Sequence, residues 1–126
     1  MKVYVLQSIE GNIKDIKFAL FEKNPSLLEK IHFSSYYGEI EKLISLHPGE
    51  EIILITGQIF PCNQTGTKLD ETLEMRNSKI KVYLYSTMPE YSQFLDGYIK
   101  KPSNLCNTKD YNSIVNFILK LNLINT

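Results

Sequence analysis

Reactive side chains are scarce in this sequence, and those present stand apart. His32 and His47 are the two histidines, and Cys62 and Cys106 the two cysteines. A nucleophilic triad needs a Ser or Cys beside an imidazole that a third group orients. Neither histidine has such a partner at a readable spacing. His32 falls in a strand-like run. His47 precedes Pro48 at a predicted helix end, where a cationic imidazole suits the helix dipole. The cysteines form no CxxC or other metal-binding spacing and read as free thiols in a reducing compartment. A disulfide would need their Cα atoms within about 7 Å, and one predicted strand separates their parent strands. "SIEGN" (Ser8 to Asn12) has a single glycine and lacks both the phosphate-loop and the dinucleotide fingerprints.

What remains is a set of polar residues where apolar runs stop: Gln7 and Ser8, Thr56 and Gly57, Ser86 and Thr87, then Lys101 and Pro102. The runs that position them alternate with helix-like segments. "KVYVL" (Lys2 to Leu6) reads as the first strand. A helix capped by Asn12 carries Ile13, Ile16 and Leu20, and Asn24–Pro25 closes it. "KIHF" is a second strand. "GEIEKLISLHPG" sets Ile40, Leu43 and Ile44 on one helical stripe that Pro48–Gly49 ends. "EIILI" has no polar alternation, as expected of a strand covered on both faces. "TKLDETLEMRN" is a helix with Leu69 and Leu73 inward. "KIKVYLY" is the fourth strand. "PEYSQFLDG" is a short helix stopped by Gly97. "GYIK" is the fifth strand, and the last helix runs from about Asp110 to Leu123.

Strict alternation of five strands and five helices predicts one α/β domain over residues 1–126. Right-handed crossovers then give a doubly wound, flavodoxin-like three-layer sandwich with strand order 2-1-3-4-5. Any site in such a fold lies at the carboxyl ends of strands one and three.

"GYIKKP", "YLYST" and "GQIFP", taken in this order and spacing, resemble the receiver domain of response regulators (the CheY-like superfamily). The resemblance covers essentially the whole chain. It puts Lys101 and Pro102 on the Lys–Pro pair that ends a receiver's fifth strand, with a typically cis peptide before the proline. It puts Tyr98 at the switch aromatic and Thr87 at the Ser/Thr that ends strand four, with Ser86 one residue away. The departures fall on the acids. Gln7 and Ser8 stand where a receiver has its acidic Mg²⁺-binding pair, and Gly57 stands at the phosphoacceptor Asp. Mg²⁺ needs hard anionic oxygens, and acyl phosphate formation needs a carboxylate. The resemblance therefore implies a degenerate receiver that is not phosphorylated on aspartate, is no enzyme, and needs neither metal nor other cofactor. Glu10 is the one carboxylate near the end of strand one, and a displaced metal role for it would be the basis of a still-active receiver.

Without facing carboxylates, Lys101 would turn to a backbone carbonyl, a water or an outside anion. One reading makes Gln7, Ser8, Gly57, Thr87 and Lys101 a neutral small-ligand or anion sensor; the other makes them a relic filled by water. The last helix carries Tyr111, Ile114, Val115 and Ile118 on one face and Phe117, Leu121 and Ile124 on a second apolar stripe. A wide buried face would absorb that stripe; left exposed, it would mark a partner. Receivers often dimerise or dock through helix four, strand five and helix five, which brings Tyr91, Phe94, Tyr98 and Pro102 to the same surface. The leading expectation is an adaptor or dimerisation module in two-component-type signal transduction, acting through phosphorylation-independent protein contacts or as a homodimer.

Lys plus Arg and Asp plus Glu both number 14, so the formal net charge is zero. That balance calls for neither nucleic acid nor an anionic membrane. No stretch is long and apolar enough to span a bilayer, and no signal-peptide core precedes the first strand. A cytoplasmic location and no DNA-binding output segment are the expectations.

Overall fold

Short runs rich in Ile, Val, Leu and Tyr form the sheet, because branched and aromatic side chains suit a pleated surface buried on both sides. The computed structural model describes residues 1–7, 10–47, 49–57, 79–87, 95–103 and 108–121. Its strands are β1 (Lys2–Leu6), β2 (Ile31–Ser34), β3 (Ile52–Thr56), β4 (Ile80–Ser86) and β5 (Gly97–Lys100). All pairings are parallel, in the order β2-β1-β3-β4-β5. The fold is thus α/β with the expected strand order, and β1 and β3 pair centrally with Leu6 opposite Thr56. Every residue of β3 is buried, as its unbroken apolar run requires.

Side chains alternate across the sheet. Val3, Val5, Ile53 and Ile55 join one core cluster with Ile16, Ala19 and Leu20 of α1 (Glu10–Lys23). The same cluster takes Ile114, Val115 and Ile118 of α3 (Asn112–Lys120). Tyr4, Leu6, Ile52 and Leu54 join a second cluster with Ile40 and Ile44 of α2 (Tyr37–Leu46).

Several local expectations need correction. The first helix starts at Glu10, so Asn12 lies inside its first turn and does not cap it. Asn24 ends that helix as expected but also caps a 3-10 helix, Pro25–Lys30, that the sequence pattern concealed. Its Oδ1 accepts from the Ser26 amide at 3.2 Å and the Ser26 hydroxyl at 2.7 Å, and Pro25 supplies a φ already set for helix. Gly49 takes the left-handed conformation, φ 81°, that ends the α2 turn. Gly97 does not: it is the first residue of β5, and its missing side chain makes room for the Tyr83 ring. A Cβ there would stand 2.7 Å from Tyr83 Cδ1. The last helix is entered through a 3-10 turn, Thr108–Tyr111, and Leu121 is its C-cap. The peptide between Lys101 and Pro102 is not cis; no cis bond occurs among the described residues. The predicted helix with Leu69 and Leu73 and most of "PEYSQFLDG" lie outside the described residues, as do Cys62 and Cys106.

Candidate functional site

The strand ends place the sequence-derived residues in two groups. Gln7 follows β1 and is 2% exposed. Its backbone N–H donates to Ser34 O at 3.1 Å. Its side-chain Nε2 donates to Leu6 O at 3.0 Å. Gly57, just past β3, donates its N–H to the same Leu6 carbonyl at 2.8 Å. One carbonyl thus gathers both residues. A Cβ on Gly57 would stand 3.0 Å from Gln7 Nε2 and 3.2 Å from its Cδ and Oε1. The carboxamide therefore packs tightly against the place where a side chain at position 57 would begin.

The second group belongs to β4 and β5. Ser86 ends β4, and its carbonyl accepts the Lys101 N–H at 2.8 Å and the Tyr98 hydroxyl at 2.7 Å. Thr87 is exposed and Pro102 half-buried. The Lys101 ammonium lies 5.6 Å from the centre of the Tyr85 ring. Burial lowers the Lys101 pKa, since little around the charge replaces water. Among the described residues no hydrogen bond reaches that ammonium and no carboxylate pairs with it. The Tyr85 ring is fully buried, its hydroxyl has no hydrogen-bond partner among the described residues, and burial pushes its pKa up, followed by the neighbouring Tyr111. Gln7 and Gly57 make no hydrogen bond to Lys101 or Thr87; the β3–β4 pairing connects the two groups. Ser8, Tyr91 and Phe94 lie outside the described residues.

The last helix buries Tyr111, Ile114, Val115 and Ile118, the predicted face. Phe117 and Leu121 are partly buried and pack against the same core cluster. Phe117 tilts onto Tyr83 with ring centres 4.7 Å apart. Among the described switch and interface residues, Tyr98 keeps the largest open surface, at 37% exposed.

A third group was not anticipated. Glu39, in the first turn of α2, accepts from His32 Nε2 at 2.7 Å and from Ser34 Oγ at 2.8 Å. Ser34 Oγ in turn accepts the Tyr36 N–H at 3.0 Å. The serine hydrogen bond, then the histidine hydrogen bond, hold the Glu39 carboxyl below its ordinary pKa. The carboxylate sits between serine and imidazole, so the imidazole cannot take the serine proton, and the group ties the end of β2 to the start of α2. A Glu at the third helical position with a Ser shortly before it was the available signal. Beside this group lies an open cleft of about 410 Å³, lined in part by Glu10, Lys14, Phe33 and Glu39. Glu10 thus opens α1 at that cleft. His47 caps α2 through its backbone N–H, and its Nδ1 is 3.7 Å from Glu50 Oε1.

Among the described residues, no three His, Cys, Asp or Glu side chains are grouped as a metal site would need. No helix among them is long and apolar enough to cross a membrane. The chain matches no family model and no curated protein.

Proposed function

We propose that the chain is a receiver-like domain, with flavodoxin-like layering of helices on both faces of its sheet, that acts by binding protein rather than by taking up a phosphoryl group. The observation that supports this most is the packing of Gln7 against Gly57. At the edge where a receiver gathers its acids, a neutral amide is bonded to the backbone and crowds the place where a side chain at position 57 would start. Neither residue supplies a carboxylate to accept phosphate or a charge to draw Mg²⁺ out of water. The receiver-like features left are a lysine, a hydroxyl residue and an aromatic: Lys101, Thr87 and Tyr98.

Amide NMR with Mg²⁺ and beryllofluoride, a phosphoryl mimic, tests this. Resonances that stay in place agree with a phosphorylation-independent domain. Shifts concentrated at Gly57, Thr87 and Lys101 overturn it.

A second reading, a small-anion sensor, draws on the Lys101 ammonium, which has no hydrogen-bond partner among the described residues and faces an aromatic ring. On that reading an anion raises the melting temperature with the logarithm of its concentration once that exceeds the dissociation constant, and Lys101→Ala removes the rise.

A further inference from the structure

Helix α1 has two apolar faces, and one of them has no partner among the described residues. Ile13, Ile16, Ala19 and Leu20 are buried against the sheet. On the outer side stand Lys14, Lys17, Phe18 and Phe21, the i, i+3, i+4, i+7 spacing of a single helical stripe. Phe18 is 56% and Phe21 54% exposed. They are not scattered surface apolars: with Leu28 they line a concavity of about 380 Å³ whose other lining residues are Lys14, Asp15 and Lys17. Asp15 accepts a hydrogen bond from the Tyr111 hydroxyl at 3.0 Å, which draws that carboxylate toward the 3-10 turn before α3. Lys17 lies over the Phe33 ring, 5.2 Å from its centre. The stripe thus has two lysines at one end, which also border the cleft that holds Glu10 and Glu39, and two aromatic rings at the other.

From this pairing we infer that the outer face of α1 docks an acidic amphipathic segment of a partner protein. Apolar side chains of that segment enter the space among Phe18, Phe21 and Leu28, and its carboxylates meet Lys14 and Lys17. A peptide helix offers apolar groups at the same i, i+3, i+4 spacing, so it matches both the length and the shape of the stripe. The charge argues against a basic partner. The concave shape and the presence of just two lysines argue against a lipid surface, which holds helices through a broad apolar face and many cations. The inference does not depend on the receiver-like reading, because the stripe belongs to α1 whatever the strand edge does.

The test is a selection from a displayed library of random peptides. The intact protein is the bait, with counter-selection on the Phe18→Ser/Phe21→Ser variant. All four stripe positions are exposed, so the variants keep the fold, which circular dichroism checks. Selected peptides should carry two apolar residues at helical spacing beside Asp or Glu. Synthetic copies should bind the parent protein at least tenfold more tightly than the Lys14→Glu/Lys17→Glu variant, with affinity falling as salt rises. The inference is overturned if counter-selection leaves no binders, if the binders lack acidic residues, or if charge reversal leaves affinity unchanged. A homodimer that Phe21→Ser dissolves, or flotation of the protein with phosphatidylserine vesicles, would equally overturn it by giving the face another occupant.

Discussion

The side-chain amide of Gln7 and the α-carbon of Gly57 share one packing position, bound together by the carbonyl of Leu6. A methyl at position 57 meets a carboxamide that is itself buried, so the amide must shift or the strand ends must part. Gly57→Ala should destabilise the protein by about 1–3 kcal/mol, as overpacking does. In Gln7→Ala/Gly57→Ala the clash is absent. Denaturant unfolding of both single variants and the double should therefore give a coupling of about 1 kcal/mol or more. Additive effects would mean that the two residues do not share the position.

Gly97 and Tyr83 form the same kind of pair on the neighbouring strands. The Tyr83 ring would lie 2.7 to 2.8 Å from a Cβ at residue 97, closer than such atoms pack. Gly97→Ala is expected to cost about 1–3 kcal/mol. Because Tyr83 is also held by Phe117, the ring has little room to swing away. Tyr83→Leu should recover much of the loss in the Gly97→Ala background, read as a rise in the unfolding midpoint.

Glu39 gives stability an acid limb. Its folded pKa is below the ordinary 4.5, through the Ser34 and His32 hydrogen bonds. A depressed carboxyl contributes stability that is present above the unfolded value and is lost as pH falls through the folded one. Stability of the parent should decline below about pH 4.5 more steeply than that of Glu39→Gln, in which the titrating group is gone. Urea unfolding at a series of pH values from neutral downward measures the difference. Equal slopes would show that the cluster does not hold the carboxyl ionised. Because Glu39 is well exposed, the difference should be modest and reduced by salt.

Tyrosine ionisation reports the other limb. Burial raises the phenols of Tyr4, Tyr85 and Tyr111, in Tyr111 from 10.0 to about 12 with help from the Asp15 hydrogen bond. A raised phenol contributes stability that is present below the unfolded value and is lost as pH rises through the folded one. Absorbance titration at alkaline pH should leave these three tyrosines protonated past pH 10 and release them together with unfolding. Tyr111→Phe should weaken that lag and remove the hydrogen bond from the 3-10 turn to Asp15 of α1. A single transition near pH 10 for every tyrosine, with the fold intact, would contradict the buried placement of these rings.

Strand identity and order were legible because a parallel sheet writes itself as uninterrupted apolar runs. "EIILI" is the clearest case, since it has no face left for water. The buried face of the last helix was equally legible from Tyr111, Ile114, Val115 and Ile118. What escaped depends on contacts between distant residues. Gly97 looked like a helix stop because a glycine after a helical pattern usually is one; the reason for it is the ring of Tyr83, fourteen positions earlier, which no local pattern carries. Asn12 looked like a cap, yet the helix starts two residues before it. The Glu39 group was hidden because His32, Ser34 and Glu39 belong to two different elements that meet at the sheet edge. At the strand ends the residue types were readable, but not that Gln7 would turn its amide back to Leu6 and fill the space beside Gly57.

The strand order also bears on how the protein is made. β1 is the first strand to be synthesised, yet it lies between β2 and β3 in the sheet. Once Ile31–Ser34 has emerged from a ribosome, β1 can pair on one side, while its other edge waits for Ile52–Thr56. At about 5–20 residues per second, that interval is on the order of one to four seconds. Throughout it, a strand with the sequence "KVYVL" presents an open row of amides and carbonyls to any other nascent chain. α2 is the segment synthesised during the wait, and its Ile40 and Ile44 pack on the side of β1 that carries Tyr4 and Leu6. A helix that forms at that moment covers one face of the exposed strand before its missing neighbour arrives.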